Sequence, residues 1–197
     1  MKKGIYICAL CLAFVLVCVN VNAKNTTMTD VLNAYQKGDY DTAVDLAKSL
    51  PKTYKDPAVK ALSKKAKKAY KKLLKKKNAN EYYLIDLDQD GSPELAYTTG
   101  ACEANMKLNV VSYNKKIVNR GKINCGEMYF AADPDDHTIV YEYGHMGYES
   151  VGTIALVDGK VKATKLNERE DVKDYLELPY VLSNHLNKNF ELTYKMN

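Results

Sequence analysis

Two periodicities divide this chain. Before residue 78 the apolar positions recur every three or four residues, and from Tyr82 they alternate with polar ones. Val31, Leu32, Ala34 and Tyr35 mark a first helical face, with Thr29 or Asp30 as cap. Gly38 interrupts it. Asp39 or Asp41 restarts a second helix carrying Ala43, Val44, Leu46, Ala47 and Leu50, which Pro51 ends. Asp56-Pro57 predicts a third helix running to about Lys77, with Asp as cap and Pro at the first helical position. Its apolar side is Val59, Leu62, Ala66, Ala69, Tyr70, Leu73 and Leu74. The period-two region predicts short strands at 82–86, 94–98, 106–113, 117–123, 128–132, 138–143, 150–157 and 160–166. Turn signals such as Asn114-Lys115, Gly126 and Asp158-Gly159 separate them, so the expected arrangement is an antiparallel meander.

The strand region looks duplicated. Tyr83-Leu84-Ile85-Asp86 aligns with Phe130-Ala131-Ala132-Asp133. Val110-Val111-Ser112-Tyr113 and the following Lys116-Ile117-Val118 align with Ile154-Ala155-Leu156-Val157 and Lys160-Val161-Lys162. Each unit is two hairpins, the size of a propeller blade, and two such units cannot close a ring. After Glu168 the pattern turns helical again (Val172, Tyr175, Leu176, Leu178), and Val181, Leu182, Leu186, Phe190 and Leu192 suggest a C-terminal helix. The fold class expected is α+β: an N-terminal helical segment, a meander of two blade-like units and a short C-terminal helix.

Composition sets the compartment. Lys2 and Lys3 precede an apolar run from Gly4 to Val19, and Val21-Asn22-Ala23 supplies small residues at the positions a signal peptidase reads. Residues 1–23 therefore read as a signal peptide cleaved after Ala23, giving a secreted chain that starts at Lys24. The alternative is a membrane anchor left uncleaved. Cleavage removes Cys8, Cys11 and Cys18. The remaining Cys102 and Cys125 admit a single pairing, a disulfide in an exported protein. Neither has zinc-ligand spacing.

Charge then divides the processed chain. Residues 24–80 hold 15 Lys against 5 Asp, and residues 81–197 hold 12 Lys and Arg against 19 Asp and Glu. A basic helical segment (24–80) thus precedes an acidic β domain (81–197). The abundant Lys, Asn and Tyr all have AT-rich codons, a compositional explanation that competes with selection for a polyanion.

One stretch carries chemistry: Asp86-Leu87-Asp88-Gln89-Asp90-Gly91-Ser92-Pro93-Glu94-Leu95. Alternate positions Asp86, Asp88, Asp90, the Ser92 carbonyl and Glu94 offer hard oxygen ligands, and Gly91 permits the bend. Two carboxylates about 4 Å apart repel by roughly 4 kcal/mol at an effective dielectric near 20, so the group calls for a cation. An EF-hand fails, because its twelfth position is Tyr97 and not Glu, and Pro93 opposes an exit helix. The loop instead resembles the D-x-D-x-D-G-x-x-[DE]-L hairpins of FG-GAP and VCBS-type repeats. That resemblance implies one structural Ca2+ in a strand–loop–strand element, with Asp86, Asp88, Asp90, Ser92 and Glu94 as ligands. The second unit offers Asp133, Asp135 and Asp136 without a Gly turn. Separately, Ala34-Tyr35-Gln36-Lys37-Gly38-Asp39-Tyr40 resembles the turn of a tetratricopeptide-type repeat. It is a single unit where a solenoid needs about three.

The polar side of the third helix is a second candidate. Lys64, Lys65, Lys67, Lys68, Lys71, Lys72, Lys75 and Lys76 suit an anionic membrane or cell-wall surface. Solvation of a core-packed helix is the competing explanation. Nucleic acid is the weakest partner, with no aromatic interleaving and no known module. No G-x-S-x-G, H-E-x-x-H or phosphate-cradling Gly loop is present. The sequence therefore suggests a secreted calcium-binding β domain that binds an unidentified extracellular ligand without catalysis. The alternative is a secreted hydrolase using His145 with Glu142 or Glu149, calcium being structural.

Overall fold

The computed structural model describes residues 26–51, 56–58, 62–133 and 135–178. Residues 1–23, read above as a signal peptide, together with Val59, His185 and the C-terminal helix suggested by Val181 to Leu192, lie outside the described residues. The described part is α+β, with three helices followed by two antiparallel sheets.

Helix α1 (Met28–Gln36) opens two to three residues earlier than a cap at Thr29 or Asp30 implies. Thr27 caps it, in a reciprocal box with Asp30. Gly38, at φ +77°, breaks the run, and Asp39 caps α2 (Tyr40–Ser49) by accepting from the Thr42 N–H. Helix α3 is Lys64–Lys77. It starts later than Asp56-Pro57 suggests, because Ser63 supplies the cap to the Ala66 N–H and the Asp56 carboxylate is engaged elsewhere. Asn78, at φ 50°, ends it in the left-handed conformation.

The strands follow the predicted meander. β1 (Tyr82–Ile85), β2 (Glu94–Thr99), β3 (Lys107–Asn114) and β4 (Lys116–Asn124) form one sheet in that order. β5 (Met128–Asp133), β6 (Thr138–His145), β7 (Tyr148–Val157) and β8 (Lys160–Arg169) form the second. The internal duplication thus reappears as two sheets of the same topology. Each carries a register shift between its third and fourth strands, at Val110/Val111 and at Val151/Gly152.

Side chains two apart on a strand share a face, and this sorts the core into three parts. Tyr83, Ile85, Ala96, Leu108 and Val110 of the first sheet meet Phe130, Ile139, Tyr141 and Ile154 of the second. The other face of the first sheet (Leu84, Leu95, Tyr97, Val111) is covered by Ala66, Tyr70 and Leu74 of α3. The other face of the second (Ala131, Val140, Val151) is covered by Val31, Tyr35, Ala43, Val44 and Ala47 of α1 and α2. The result is four layers, helix–sheet–sheet–helix. It explains why β2 reads as an almost unbroken buried run, since both faces of the strand are covered.

Residues 170–178, expected to be helical, are not. They form a strap in which Leu176 and Leu178, two apart, are both buried. Strap N–H groups bond to the second sheet and not in a helical ladder, that of Val172 going to the Gly147 carbonyl at 2.9 Å. Leu176 N–H donates to Glu149 Oε1 at 2.8 Å and Leu178 N–H to Glu142 Oε2 at 2.9 Å.

Candidate metal centre

The β1–β2 connection is a strand–loop–strand hairpin, because Ile85 pairs with Glu94 and Leu84 with Leu95. Between them the backbone turns through Gln89 (φ 58°) and Gly91 (φ 84°). The latter is a conformation glycine adopts without cost. Asp86 is 4% exposed and organises the loop, its carboxylate oxygens accepting from the Asp90 N–H at 3.1 Å and the Gly91 N–H at 3.0 Å. Glu94 is 1% exposed and accepts from the Leu87 N–H at 2.9 Å.

Carboxylate oxygens of Asp86, Asp88 and Glu94 all lie within 4.8 Å of one another. Two ligands on opposite sides of an ion at about 2.4 Å are about 4.8 Å apart, so this spacing fits within a calcium coordination shell. Hard anionic oxygens are also the donor type calcium takes. Of the four carboxylates expected as ligands, Asp90 stands outside this group; Ser92 is expected through its backbone carbonyl. The Asp90 carboxylate accepts from the Ser92 N–H at 2.7 Å, an Asx turn that shapes the loop.

Electrostatics mark the cost of the bare cluster. Burial first, then the neighbouring Asp88, Asp90 and Asp86 charges, push Glu94 up to about 8 against the favourable Leu87 N–H. Asp88 is also raised, by burial and by Asp90, although the Arg120 guanidinium 3.6 Å away opposes the shift.

Four residues outside the motif hold the loop, and sequence spacing had singled none of them out for this role. Asp56 accepts from the Asp86 N–H at 2.7 Å. Tyr70 of α3 donates its phenol hydrogen to the Pro93 carbonyl at 3.2 Å. His137, in the β5–β6 turn, donates from Nδ1 to the Asp86 carbonyl at 2.9 Å. Arg120 on β4 reaches Asp88, Ser112 Oγ and the Gly159 carbonyl of the other sheet. Asp56-Pro57 was legible only as a helix cap. The loop is thereby tied to α3, to its lead-in and to the second sheet.

The loop of the second unit repeats the first part of this design. Asp133 is buried and accepts from the Asp135 and Asp136 N–H groups, as Asp86 does from its own loop. Asp135 and Asp136 do not converge on it, and Asp86, Asp88 and Glu94 are the group that comes together among the described residues.

The other expected sites are placed as follows. Lys64, Lys65, Lys68, Lys72, Lys75 and Lys76 are exposed on the outer side of α3, and Lys67 and Lys71 are half-buried. The disulfide expected between Cys102 and Cys125 is not formed. Cys102 is a free thiol at the surface before a short 3-10 turn, and Cys125 is a free thiol enclosed in the core between the sheets. Burial pushes the Cys125 thiol up to about 11.

His145 and Glu142 line one cleft of about 550 Å3, with Tyr129, Met146, Tyr175 and Glu177. Their polar atoms are turned to other partners. His145 Nδ1 pairs with Glu127 at 2.9 Å, Glu142 holds Leu178, and Glu149 holds Leu176 and the Arg169 guanidinium at 2.6 Å. Arg169 in turn lies over the rings of Tyr40 and Tyr35, at 4.7 and 5.7 Å to the centroids. Glu142 and Glu149 therefore hold the strap in place. Gly144 belongs to the same arrangement, since a Cβ there would sit 2.8 Å from the Tyr175 ring.

Compared with family models, with curated proteins and with solved structures, the chain finds no match.

Proposed function

We propose that this is a secreted calcium-binding β-domain protein with a non-catalytic binding or adhesive role outside the cell. The lysine face of α3 is directed at an anionic cell-wall or membrane surface. The observation that carries the reading is the convergence of the Asp86, Asp88 and Glu94 carboxylates, two of them buried, on a space of calcium dimensions. Calcium there is structural, neutralising the cluster and clamping the hairpin between β1 and β2. The strand flanks support the FG-GAP and VCBS-type comparison over an EF-hand. The secreted location rests on the sequence of residues 1–23.

The test is calorimetric titration with Ca2+ and with Mg2+ of the chain from Lys24 onward. Saturable calcium heat that Asp88→Ala abolishes supports the reading, and absence of heat from the unmodified chain rejects it.

A further inference from the structure

The loop that would hold calcium is also the joint that fastens α3 to the fold. Resting on the calcium reading above, we propose that calcium in the β1–β2 loop orders α3 and thereby switches on binding of its lysine face to an anionic phospholipid surface.

Helix α3 has weak means of its own to stay folded. Its 14 residues include no acid, and lysines recur four apart at 64/68, 67/71, 68/72, 71/75 and 72/76. Like charges at that spacing repel, and isolated helices shorter than about 12–15 residues are marginal in water. Lys64 and Lys65 also sit at the end of the helix that disfavours positive charge. What holds α3 is its docking: Ala66, Tyr70 and Leu74 in the core under the first sheet, and the bond from Tyr70 to Pro93.

That bond lands on the ligand-bearing backbone. Pro93 precedes Glu94, and the lead-in residue Asp56 holds the N–H of Asp86, so helix and lead-in are tied to both ends of the loop. Without a cation, the Asp86, Asp88 and Asp90 charges repel one another across this segment and loosen the acceptor that Tyr70 needs. A cation draws them together and fixes it. The charges also reach the helix directly. The Tyr70 phenol is held above its ordinary range chiefly by burial, and further by Glu94, Asp90 and Asp88.

The partner follows from the shape of the face. Lys64, Lys68, Lys72, Lys75 and Lys76 stand exposed on a convex helix, and a helix of this length spans about 21 Å. Such a row meets a planar array of phosphates, each lysine gaining from the surface potential. No helix among the described residues is long and apolar enough to cross a membrane.

The experiment sediments the chain from Lys24 onward with phosphatidylglycerol–phosphatidylcholine vesicles, in millimolar calcium and in EGTA. Amide exchange of residues 64–77 is followed in parallel without vesicles. Calcium should tighten partitioning at least about fivefold, the lower end of ordinary coupling between sites, and slow exchange in α3. Simple screening of headgroups by calcium acts in the opposite direction. Tyr70→Phe should keep the calcorimetric calcium signal and shrink both effects. Replacing Lys68, Lys72, Lys75 and Lys76 by Gln should keep the signal and abolish vesicle binding.

If calcium binds by calorimetry but partitioning and exchange do not change, the coupling is overturned and the calcium reading stands. If no calcium binds, the reading itself fails and the coupling with it. An equal calcium-dependent gain on soluble polyphosphate overturns the assignment to a lipid surface.

Discussion

Asp56 accepts a hydrogen bond from the backbone N–H of Asp86 at 2.7 Å, across thirty residues of chain. Its other oxygen accepts from Ala58 N–H at 2.8 Å, so a residue 3% exposed closes its own turn and anchors the β1–β2 loop. Asp56→Ala leaves the Asp86 N–H buried and unpaired, a loss of about 1–3 kcal/mol in urea unfolding. Asp56→Asn keeps an acceptor and should lose less. Equal stability of Asp56→Ala and the parent chain would remove Asp56 from the account.

Glu149 is fully buried, and its charge is met by Arg169, whose guanidinium also covers Tyr40. Removing one partner of a buried pair leaves an uncompensated charge. Arg169→Ala should therefore cost about 3–5 kcal/mol. Arg169→Ala with Glu149→Gln should recover part of that loss, measured as a double-mutant cycle.

Glu142 gives the strap a pH dependence. Burial, and then the Glu149 charge beside it, push its carboxyl up to about 7 from an ordinary 4.5, against the Leu178 N–H that favours the ionised form. Below about 4.5 the group is protonated in folded and unfolded chains alike and contributes nothing. Between about 4.5 and 7 the folded chain holds a proton the unfolded chain has released, so this contribution to stability falls as pH rises. Over that window the loss should be about 1–3 kcal/mol. Glu142→Gln should flatten it, because the amide oxygen still accepts from Leu178 N–H and does not ionise. Unfolding midpoints in urea across the window measure the slope.

The two cysteines should differ in reactivity. Cys102 is exposed, whereas Cys125 is buried with its thiol raised to about 11. The thiolate is the reactive form. Alkylation of the native chain should label Cys102 promptly and Cys125 only after denaturation, as read by mass mapping. Protection of both thiols, released by reductant, would show a disulfide and a different local packing.

The strand region was legible almost residue by residue, because alternation is a local property that each hairpin repeats. The turn at Gly91 and the convergence of Asp86, Asp88 and Glu94 were legible for the same reason. Asp90 stands outside that group, with its carboxylate accepting from the Ser92 N–H in a local turn, a placement that spacing does not express. The start of α3 moved because Ser63 caps it, whereas Asp56 spends its two oxygens on the Ala58 N–H of its own short turn and on the Asp86 N–H. The strap at 170–178 was misread as helix. Leu176 and Leu178 are consistent with several periods, and only the buried Glu142 and Glu149, far away in sequence, select the extended one. The layering of the sheets was not legible either, since it depends on which faces α3 and the α1–α2 hairpin cover.

The central claim is that the β1–β2 loop holds calcium, and thermal unfolding with and without the ion tests it most directly. Extracellular calcium modules bind at about 0.1–1 mM, so millimolar calcium should add about 1 kcal/mol. For a chain of this size that is a rise in Tm of about 2–4 °C. Asp88→Ala, whose target is exposed and outside the core, should fold and lose the response. A melting curve of the unmodified chain that calcium leaves unmoved, at concentrations well above millimolar, would contradict the account.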